Sequence, residues 1–325
     1  MGSIPDRWSE TSWEKRQDLA VPMWHKSQVP YASLPNKLQH VDVWIPAEYT
    51  PQSESLSASW LPHPETIWVI WIHGGAWRDP LTTSDSLTPM LKCLSPTLFE
   101  SQKSPIAFAS ISYSLSPDPR PSTVPSDPYD YSRNALHPRH ILDVLEAISF
   151  LQQRAGFGNN YILTGQSCGA TLAFQAAMSP ERWGINSAKA HIKAPSMLLG
   201  LNGLYAMPEL VEKPGGKHDQ YRDLYEQFTQ SAFGPNKELW AFISPASVKD
   251  WAMEWPDGKY VMLVQSHEDS LVPFGQVERM MDSLLNSKQD RLEIELLEGY
   301  GDHDDIWEKG TLFAEVLAQA IGKLS

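Results

Sequence analysis

Short apolar runs alternate along most of this chain with segments whose apolar residues recur at helical spacing. The runs are rich in β-branched and aromatic residues and occupy residues 66–72, 106–113 and 161–164. Strands buried on both faces of a parallel sheet have this composition. Residues 140–151 carry the helical pattern, which glycines at 156 and 158 end. The alternation predicts an α/β fold with an open, doubly wound and mostly parallel sheet.

The same alternation continues on both sides and predicts one domain over residues 1–325. Further strands are predicted at 40–45, 196–201, 260–264 and 292–297, and helices at 83–101, 277–285 and 312–324. Two segments depart from the pattern. Residues 1–37 are polar and interrupted by prolines, which predicts an N-terminal arm. Residues 204–247 break the alternation with a Gly-Gly pair and an amphipathic piece, which predicts a small cap-like insertion over the strand tips.

The pentapeptide GQSCG at residues 165–169 lies where a predicted strand meets a predicted helix. In this context G-x-S-x-G is typical of a nucleophile elbow, a sharp turn that raises a serine above the sheet. Its two glycines allow a turn that leaves no room for a Cβ atom. Ser167 is therefore the candidate nucleophile.

A serine nucleophile needs a general base, and the base needs an orienting carboxylate. After an elbow of this kind, the acid and then the base follow on loops after late strands. Asp269 follows strand 260–264, and His303 follows strand 292–297. Because both loops belong at the C-terminal edge of the sheet, we assign Asp269 as the acid and His303 as the base. Glu268 is an alternative acid and His267 an alternative base, although His267 lies on the loop of the acid.

Three aspartates, at positions 302, 304 and 305, surround His303. We interpret them as a solvated acidic loop, with a metal site as the alternative. Their spacing matches neither a zinc signature nor the twelve-residue calcium loop. The sequence therefore predicts no metal and no cofactor.

A glycine-rich loop, HGGAW at residues 73–77, directly follows strand 66–72. Backbone N–H groups aimed at the oxyanion of an acyl-transfer intermediate stabilise it by about 3 kcal/mol each. We assign the oxyanion hole to Gly74, Gly75, Ala76 and Cys168. Gly75, Ala76 and Cys168 are the expected donors, and Gly74 allows the bend. His73 is expected to hold the loop by hydrogen bonds.

The net charge and the cysteine content indicate which partners and which compartment to expect. The net charge of −13 disfavours nucleic acid and anionic membranes as partners. No apolar run reaches the roughly 18 residues that span a bilayer, and the N-terminus lacks the apolar region of a secretory signal. The two cysteines, Cys93 and Cys168, suit a reducing compartment, so we expect a cytoplasmic protein. We interpret Cys168 as a buried residue, with a reactive thiol as the alternative. For the oligomeric state, a homodimer is one possibility.

Several of these motifs together resemble the kynurenine formamidases (arylformamidases) of fungal type, in the α/β-hydrolase superfamily. The matching segments are HGGAW at 73–77, SYSLSP at 112–117, the helix at 140–151, the elbow at 165–170 and the acid loop at 267–273. The resemblance spans roughly residues 38–323. Gln166 stands where histidine is more usual in the fungal elbow. Ala76, Trp77 and Gln166 differ from the pattern of broad esterases, which favours a formamidase.

The resemblance implies hydrolysis of N-formyl-L-kynurenine to L-kynurenine and formate, a step of tryptophan breakdown toward NAD synthesis. It implies a small-molecule substrate with an aromatic, zwitterionic leaving group. Trp77 is the candidate substrate-binding wall. We interpret Arg78 as a surface residue, with contact to the substrate carboxylate as the alternative. Two other functions stay open: a carboxylesterase acting on small esters, and a hydrolase-fold receptor without catalysis.

Overall fold

One sheet of nine strands runs through the part of the chain that the computed structural model describes, residues 6–100, 102–118, 124–184, 192–287 and 291–324. The strands are β1 (Trp13–Arg16), β2 (Met23–Pro30), β3 (His40–Pro46), β4 (Ile67–Ile72), β5 (Ile106–Ile111), β6 (Tyr161–Gln166), β7 (Met197–Leu201), β8 (Tyr260–Ser266) and β9 (Glu293–Gly299). Their spatial order is β1-β2-β3-β5-β4-β6-β7-β8-β9. The six strands β4 to β9 are parallel to one another. The pairings β1–β2, β2–β3 and β3–β5 are antiparallel. The predicted α/β sheet is confirmed.

The α-helices of the described residues follow the strands in the expected alternation. They are α1 (Thr88–Cys93), α2 (Pro96–Glu100), α3 (Arg139–Ala155), α4 (Cys168–Ala177), α5 (Met207–Glu212), α6 (Arg222–Phe233), α7 (Lys237–Ile243), α8 (Trp251–Glu254), α9 (Gly275–Leu285), α10 (Asp305–Glu308) and α11 (Thr311–Leu324). Gly156 ends α3 at φ 70°, a left-handed conformation that glycine adopts without a Cβ penalty. None of the helices within the described ranges combines the length and the apolar character needed to cross a membrane.

Two hydrophobic cores cover the two faces of the sheet. Successive side chains of a strand point to opposite faces, and β4 shows the result directly. Trp68 packs in one core, where its ring stacks at 5.1 Å on Phe157. Trp71 packs in the other core, 4.7 Å from the ring of Phe313, and donates through Nε1 to Ser86. Every residue of β4 is buried, which explains its unbroken apolar sequence.

The N-terminal segment extends the sheet instead of standing apart as an arm. The sequence pattern misses β1 and β2 because Lys26 interrupts the apolar run of β2. Lys26 is fully buried between the rings of Trp8 and Trp13, and its ammonium donates to the carbonyls of Thr11 and Ala58. Burial lowers the pKa of Lys26 to about 8. Through these bonds the buried cation ties β2 to the residue Thr11 before β1 and to the connection between β3 and β4.

Candidate active site

Ser167 occupies a strained turn between β6 and α4. Its backbone lies at φ 56° and ψ −123°, a region that non-glycine residues rarely adopt. The flanking glycines are required sterically. A Cβ on Gly165 would lie 2.3 Å from the carbonyl carbon of Gly169, and a Cβ on Gly169 would lie 2.1 Å from the carbonyl oxygen of Ile72. The elbow geometry therefore presents the Ser167 side chain at the end of β6.

Asp269 and His303 come together across the loops that follow β8 and β9. His303 Nδ1 lies 2.8 Å from Oδ2 of Asp269, and both side chains are buried. The other carboxylate oxygen, Oδ1, accepts the backbone N–H groups of Leu271 at 2.8 Å and Val272 at 2.7 Å. Because its loop holds this carboxylate in place, Asp269 fixes the orientation of the imidazole.

Opposing effects act on the pKa of His303. Burial alone would lower the pKa of His303, but the hydrogen bond and charge of Asp269 raise it, as do the charges of Asp304 and Asp302. The net direction is a pKa above the ordinary histidine value. An imidazole of this kind is suited to accept a proton and to be stabilised as imidazolium.

The competing residues lie elsewhere. The carboxylate of Glu268 accepts the backbone N–H of Gly301 and so braces the loop of His303. His267 is 61% exposed, and its ring stacks on Phe274 at 3.9 Å. Neither residue is positioned to replace Asp269 or His303.

The aspartates around His303 are engaged in the structure of their own loop. Asp302 accepts the backbone N–H groups of Ser270 at 2.8 Å and His303 at 2.7 Å. Asp304 accepts from the Trp307 indole at 2.9 Å, and Asp305 pairs with a neighbouring lysine. Over the described part of the chain, no group of three or more His, Cys, Asp or Glu side chains is placed to hold a metal ion.

The loop after β4 has three consecutive residues at positive φ: Gly75 at 93°, Ala76 at 50° and Trp77 at 59°. Tyr113, two residues after the end of β5, braces this loop, since its hydroxyl lies 3.0 Å from the carbonyl of His73 and 3.3 Å from that of Gly74. Sequence reasoning did not single out Tyr113 as a functional residue. Its only signal was its position in the segment 112–117, which carries the family resemblance.

His73 is a structural member of this loop. It is buried, its ring stacks at 4.5 Å on Tyr113, and its Nδ1 lies 2.9 Å from the carbonyl of Gly74. Burial lowers the pKa of His73 to about 4, so its imidazole is neutral at pH 7. This placement fits a residue that holds the loop by hydrogen bonds.

Cys168 is buried at the start of α4, directly after Ser167. Its sulfur accepts the backbone N–H of Trp77 at 3.2 Å and lies 3.6 Å from the Tyr113 hydroxyl. Burial raises the pKa of Cys168 to about 11, although the N–H groups of Trp77 and Ala76 and the Tyr113 hydroxyl oppose this. A thiol that stays protonated is a poor nucleophile. The geometry therefore favours a structural Cys168 that ties the elbow to the glycine-rich loop.

One cavity of about 180 Å³ joins these groups. It is lined by Gly75, Ala76, Arg78, Asp79, Thr82, Ser167, Leu204, Leu224, Tyr225, Phe228, Leu271, Val272, His303 and Asp304. Trp77 is not among them: it is fully buried behind the wall, with its ring 4.9 Å from Phe233 and 6.0 Å from Phe228. The aromatic surface of the cavity comes instead from Tyr225 and Phe228 of α6, which lies within the predicted insertion 204–247.

The interpretation of Arg78 as a surface residue is wrong. Arg78 is only 1% exposed and lines the cavity, with its guanidinium carbon 6.0 Å from the ring centroid of Phe228. The sequence did not reveal this because Arg78 follows a loop whose positive φ angles turn the chain inward. The cavity thus combines one buried cation with the carboxylates of Asp79 and Asp304.

Comparison with known proteins connects this site to one family. A protein of Fusarium equiseti, the kynurenine formamidase-like hydrolase fscH, is 34% identical over 307 residues, which cover 92% of this chain and 95% of that protein. The kynurenine formamidase avaC of Aspergillus versicolor is 33% identical over 258 residues, covering 74% of this chain and 84% of its own. No protein-family model matches the chain.

Solved structures agree on the fold. Esterase B of Lactobacillus rhamnosis superposes with a TM-score of 0.66 at 15% identity, over 98% of this chain and 90% of its own. A carbohydrate esterase from gut microbiota has a TM-score of 0.61 at 16% identity, over 94% and 98% of the two chains. At these identities the likeness establishes the α/β-hydrolase fold, while the sequence relatives establish the closer kinship: the chain belongs to the kynurenine formamidase family.

Proposed function

We propose that this protein hydrolyses N-formyl-L-kynurenine to L-kynurenine and formate through Ser167, His303 and Asp269. The observation that carries the proposal is the 2.8 Å contact between Nδ1 of His303 and Asp269, because His303 lines the same cavity as Ser167 on its strained elbow. A base oriented by a carboxylate beside a serine on such a turn supports acyl transfer.

The proposed reaction has two halves. His303 Nε2 takes the Ser167 proton while Oγ attacks the formyl carbon, and Asp269 stabilises the imidazolium. N–H groups of Gly75, Ala76 and Cys168 hold the oxyanion. The C–N bond then breaks as His303 protonates the departing aryl amine. Water, deprotonated by the same imidazole, attacks the formyl-serine ester, and formate leaves as Ser167 regains its proton.

The shape and charge of the cavity support a formyl donor with an amino-acid tail. The cavity of about 180 Å³ is partly open to solvent, and the formyl group, the smallest acyl group, needs little of its space beside Ser167. Phe228 offers a face to an aromatic ring. Arg78 is suited to the carboxylate of the leaving group, and Asp79 or Asp304 to its ammonium group. In this proposal residues 204–247 act as the cap, and Trp77 supports the substrate wall from behind.

The setting proposed for this reaction is the cytoplasm. Both cysteines are free, one exposed and one buried, as suits a reducing compartment. The proposed mechanism uses no metal ion and no cofactor, and it requires no partner macromolecule. A homodimer would be compatible with it.

The ratio of activities on an amide and an ester tests the substrate assignment. The values of kcat/KM are measured for N-formyl-L-kynurenine and for p-nitrophenyl acetate. We expect the formamide to be preferred by at least about 100-fold, since only its leaving group reaches both the charged and the aromatic contacts. Comparable values would instead favour a carboxylesterase that shares the triad. Absence of turnover on both substrates would favour a receptor without catalysis.

A further inference from the structure

The side chain of Gln166 lies between the elbow and the loop that carries His303. Its Nε2 atom is 3.0 Å from His303 Nε2, 3.1 Å from the backbone oxygen of His303, and 3.5 Å from Oδ1 of Asp304. Gln166 is only 1% exposed. The residue before the nucleophile therefore touches the ring nitrogen of the base that faces away from Asp269.

The surroundings fix which end of the amide faces His303. The backbone oxygen of His303 and the carboxylate of Asp304 can only accept hydrogen bonds, so the NH₂ end must point toward them. The oxygen end points toward Gly74, where an added Cβ would lie 2.2 Å from Oε1. Gly74 thus makes room for the Gln166 side chain, besides allowing the bend of the loop.

This orientation has a consequence for the base. When Nδ1 donates its hydrogen to Asp269, the neutral imidazole of His303 carries its one free lone pair on Nε2. That lone pair must accept the proton of Ser167 in the first step. In the resting structure it accepts an N–H of Gln166 instead. The same N–H would face a second N–H once the imidazole is protonated, so it opposes formation of the imidazolium.

We propose that Gln166 is a positioning residue that occupies Nε2 of His303 in the resting enzyme and must release it before Ser167 can transfer its proton. The second N–H of the amide stays on the backbone oxygen of His303, so the loop remains anchored while the ring is freed. The inference rests on the roles proposed above for Ser167 and His303, but not on the identity of the substrate.

The other charged groups around His303 stay in place when Gln166 is changed, and Asp304, which loses its 3.5 Å contact with the amide, still accepts the Trp307 indole at 2.9 Å. Asp269 faces the ring from the loop after β8, and Asp302 and Asp304 face it from its own loop. Arg78 and Asp79 line the same cavity from the loop after β4. A difference between Gln166 variants in the pH dependence of Ser167 reactivity therefore reports on the amide itself.

The test measures how fast phenylmethylsulfonyl fluoride sulfonylates Ser167 as a function of pH, read by mass spectrometry. In this reaction an O–S bond forms, fluoride leaves, and the serine proton passes to His303. The wild type is compared with Gln166→Met, which keeps the length of the side chain and removes the N–H donor. Asn202 still donates to the backbone oxygen of His303 at 3.2 Å, so that buried acceptor keeps a partner.

We expect the acid limb of the rate profile to move up by about half to one pH unit in Gln166→Met, because one hydrogen bond opposing protonation is lost. Gln175→Met is the matched control: Gln175 is also buried, but it donates to the carbonyl of Ile243, and its profile should match the wild type. A merely structural Gln166 would lower stability or the plateau rate and leave the limb in place, which would overturn the inference.

A second variant covers a failure of Gln166→Met to fold. Gln166→Glu is isosteric and places a carboxylate beside Nε2, so the acid limb of its rate profile should move to a still higher pH. An unchanged acid limb would again overturn the inference. If wild-type Ser167 were not sulfonylated at any pH, the nucleophile assignment itself would fail, and this inference with it. The two failures are thus distinguishable.

Discussion

Two buried histidine–aspartate pairs in this protein share residue types and distance but differ in their surroundings. His303 lies 2.8 Å from Asp269, and His25 lies 3.0 Å from Asp42. A serine lies in both neighbourhoods, Ser167 in the first and Ser84 in the second. Of these four residues, only His303 lines the cavity that Ser167 also lines.

The difference lies in which atoms are engaged. His303 uses Nδ1 toward Asp269, which leaves Nε2 directed to the elbow side. His25 uses Nε2 toward Asp42, and its ring stacks at 4.6 Å on Trp44. Ser84 donates to the carboxylate at 2.7 Å instead of facing the imidazole. A histidine, an aspartate and a serine therefore make a catalytic site only when the imidazole stands between the other two and a cavity admits substrate.

The largest expected effect is on activity, which should depend on Asp269 and not on Asp42. Asp269→Asn should lower kcat by about 10⁴-fold, because the amide no longer fixes the tautomer or stabilises the imidazolium. Asp42→Asn, measured per folded molecule, should keep kcat/KM within about threefold of the wild type. Steady-state kinetics on N-formyl-L-kynurenine, with circular dichroism as the folding control, check both. An equal loss of activity in the two variants would remove the distinction.

The second effect is on stability, and here the pair His25–Asp42 is expected to matter. Asp42→Asn should lower the free energy of unfolding by about 2–4 kcal/mol, since it leaves buried donors on His25 and Ser84 without their charged acceptor. Asp18→Asn, in the exposed pair with Arg16, should cost well under 1 kcal/mol. Urea denaturation of both variants measures the difference, and similar costs would contradict a structural role for the buried pair.

Acid titration sharpens the role of Asp42 further. Burial opposes ionisation, but hydrogen bonds from His25, His40 and Ser84 hold the pKa of Asp42 well below its usual range. A depressed folded-state pKa stabilises the protein above the unfolded value, about 3.9, and this stability is lost as pH falls through the folded value. The melting temperature of the wild type should therefore fall below about pH 4, and Asp42→Asn should show a shallower fall. Parallel slopes would exclude Asp42 as a source of this dependence.

A smaller effect concerns the cavity that His303 lines and His25 does not. Arg78→Met should raise KM for N-formyl-L-kynurenine by about tenfold or more, because a charge-assisted hydrogen bond to its carboxylate is lost. An aryl formamide without the carboxylate should show no such rise. Arg279→Met, at an exposed position outside the cavity, is the control. Equal rises in KM for both substrates would show that Arg78 only supports the fold.

The smallest expected effect is on the thiols. Iodoacetamide should alkylate exposed Cys93 without loss of activity and should leave Cys168 unmodified in the folded protein, since burial raises the pKa of Cys168. Peptide mapping with parallel activity measurements checks this. Rapid labelling of Cys168 with inactivation would restore the reactive-thiol alternative.

Much of the sheet could be predicted from sequence because parallel strands carry their own signal. β4 and β5 are buried on both faces and read as unbroken apolar runs. The elbow was predictable because its motif is contiguous and lies between a predicted strand and a predicted helix, although the glycine at 169 is required by a distant contact, with the carbonyl oxygen of Ile72. The edge strand β1 and its neighbour β2 were missed because their polar residues find partners only in the folded protein, as Lys26 does.

The features of the site also divide into those that the sequence predicts and those that depend on the folded structure. The pairing of Asp269 with His303 followed from chain order and strand position, which the fold dictates. The positions of Arg78 inside the cavity and Trp77 behind its wall did not, because they depend on backbone turns at positive φ and on how α6 packs. The contact of Gln166 with His303 was likewise invisible, since it joins residues 137 positions apart through side-chain atoms.

Formate release from N-formyl-L-kynurenine by the wild type and by Ser167→Ala shows whether the reaction proceeds by acyl transfer through this serine. We expect the wild type to form formate and kynurenine in equal amounts. We expect Ser167→Ala, verified as folded, to retain less than about one part in 10³ of that rate. Turnover by Ser167→Ala close to the wild-type rate would exclude acyl transfer through this serine as the chemistry of the site.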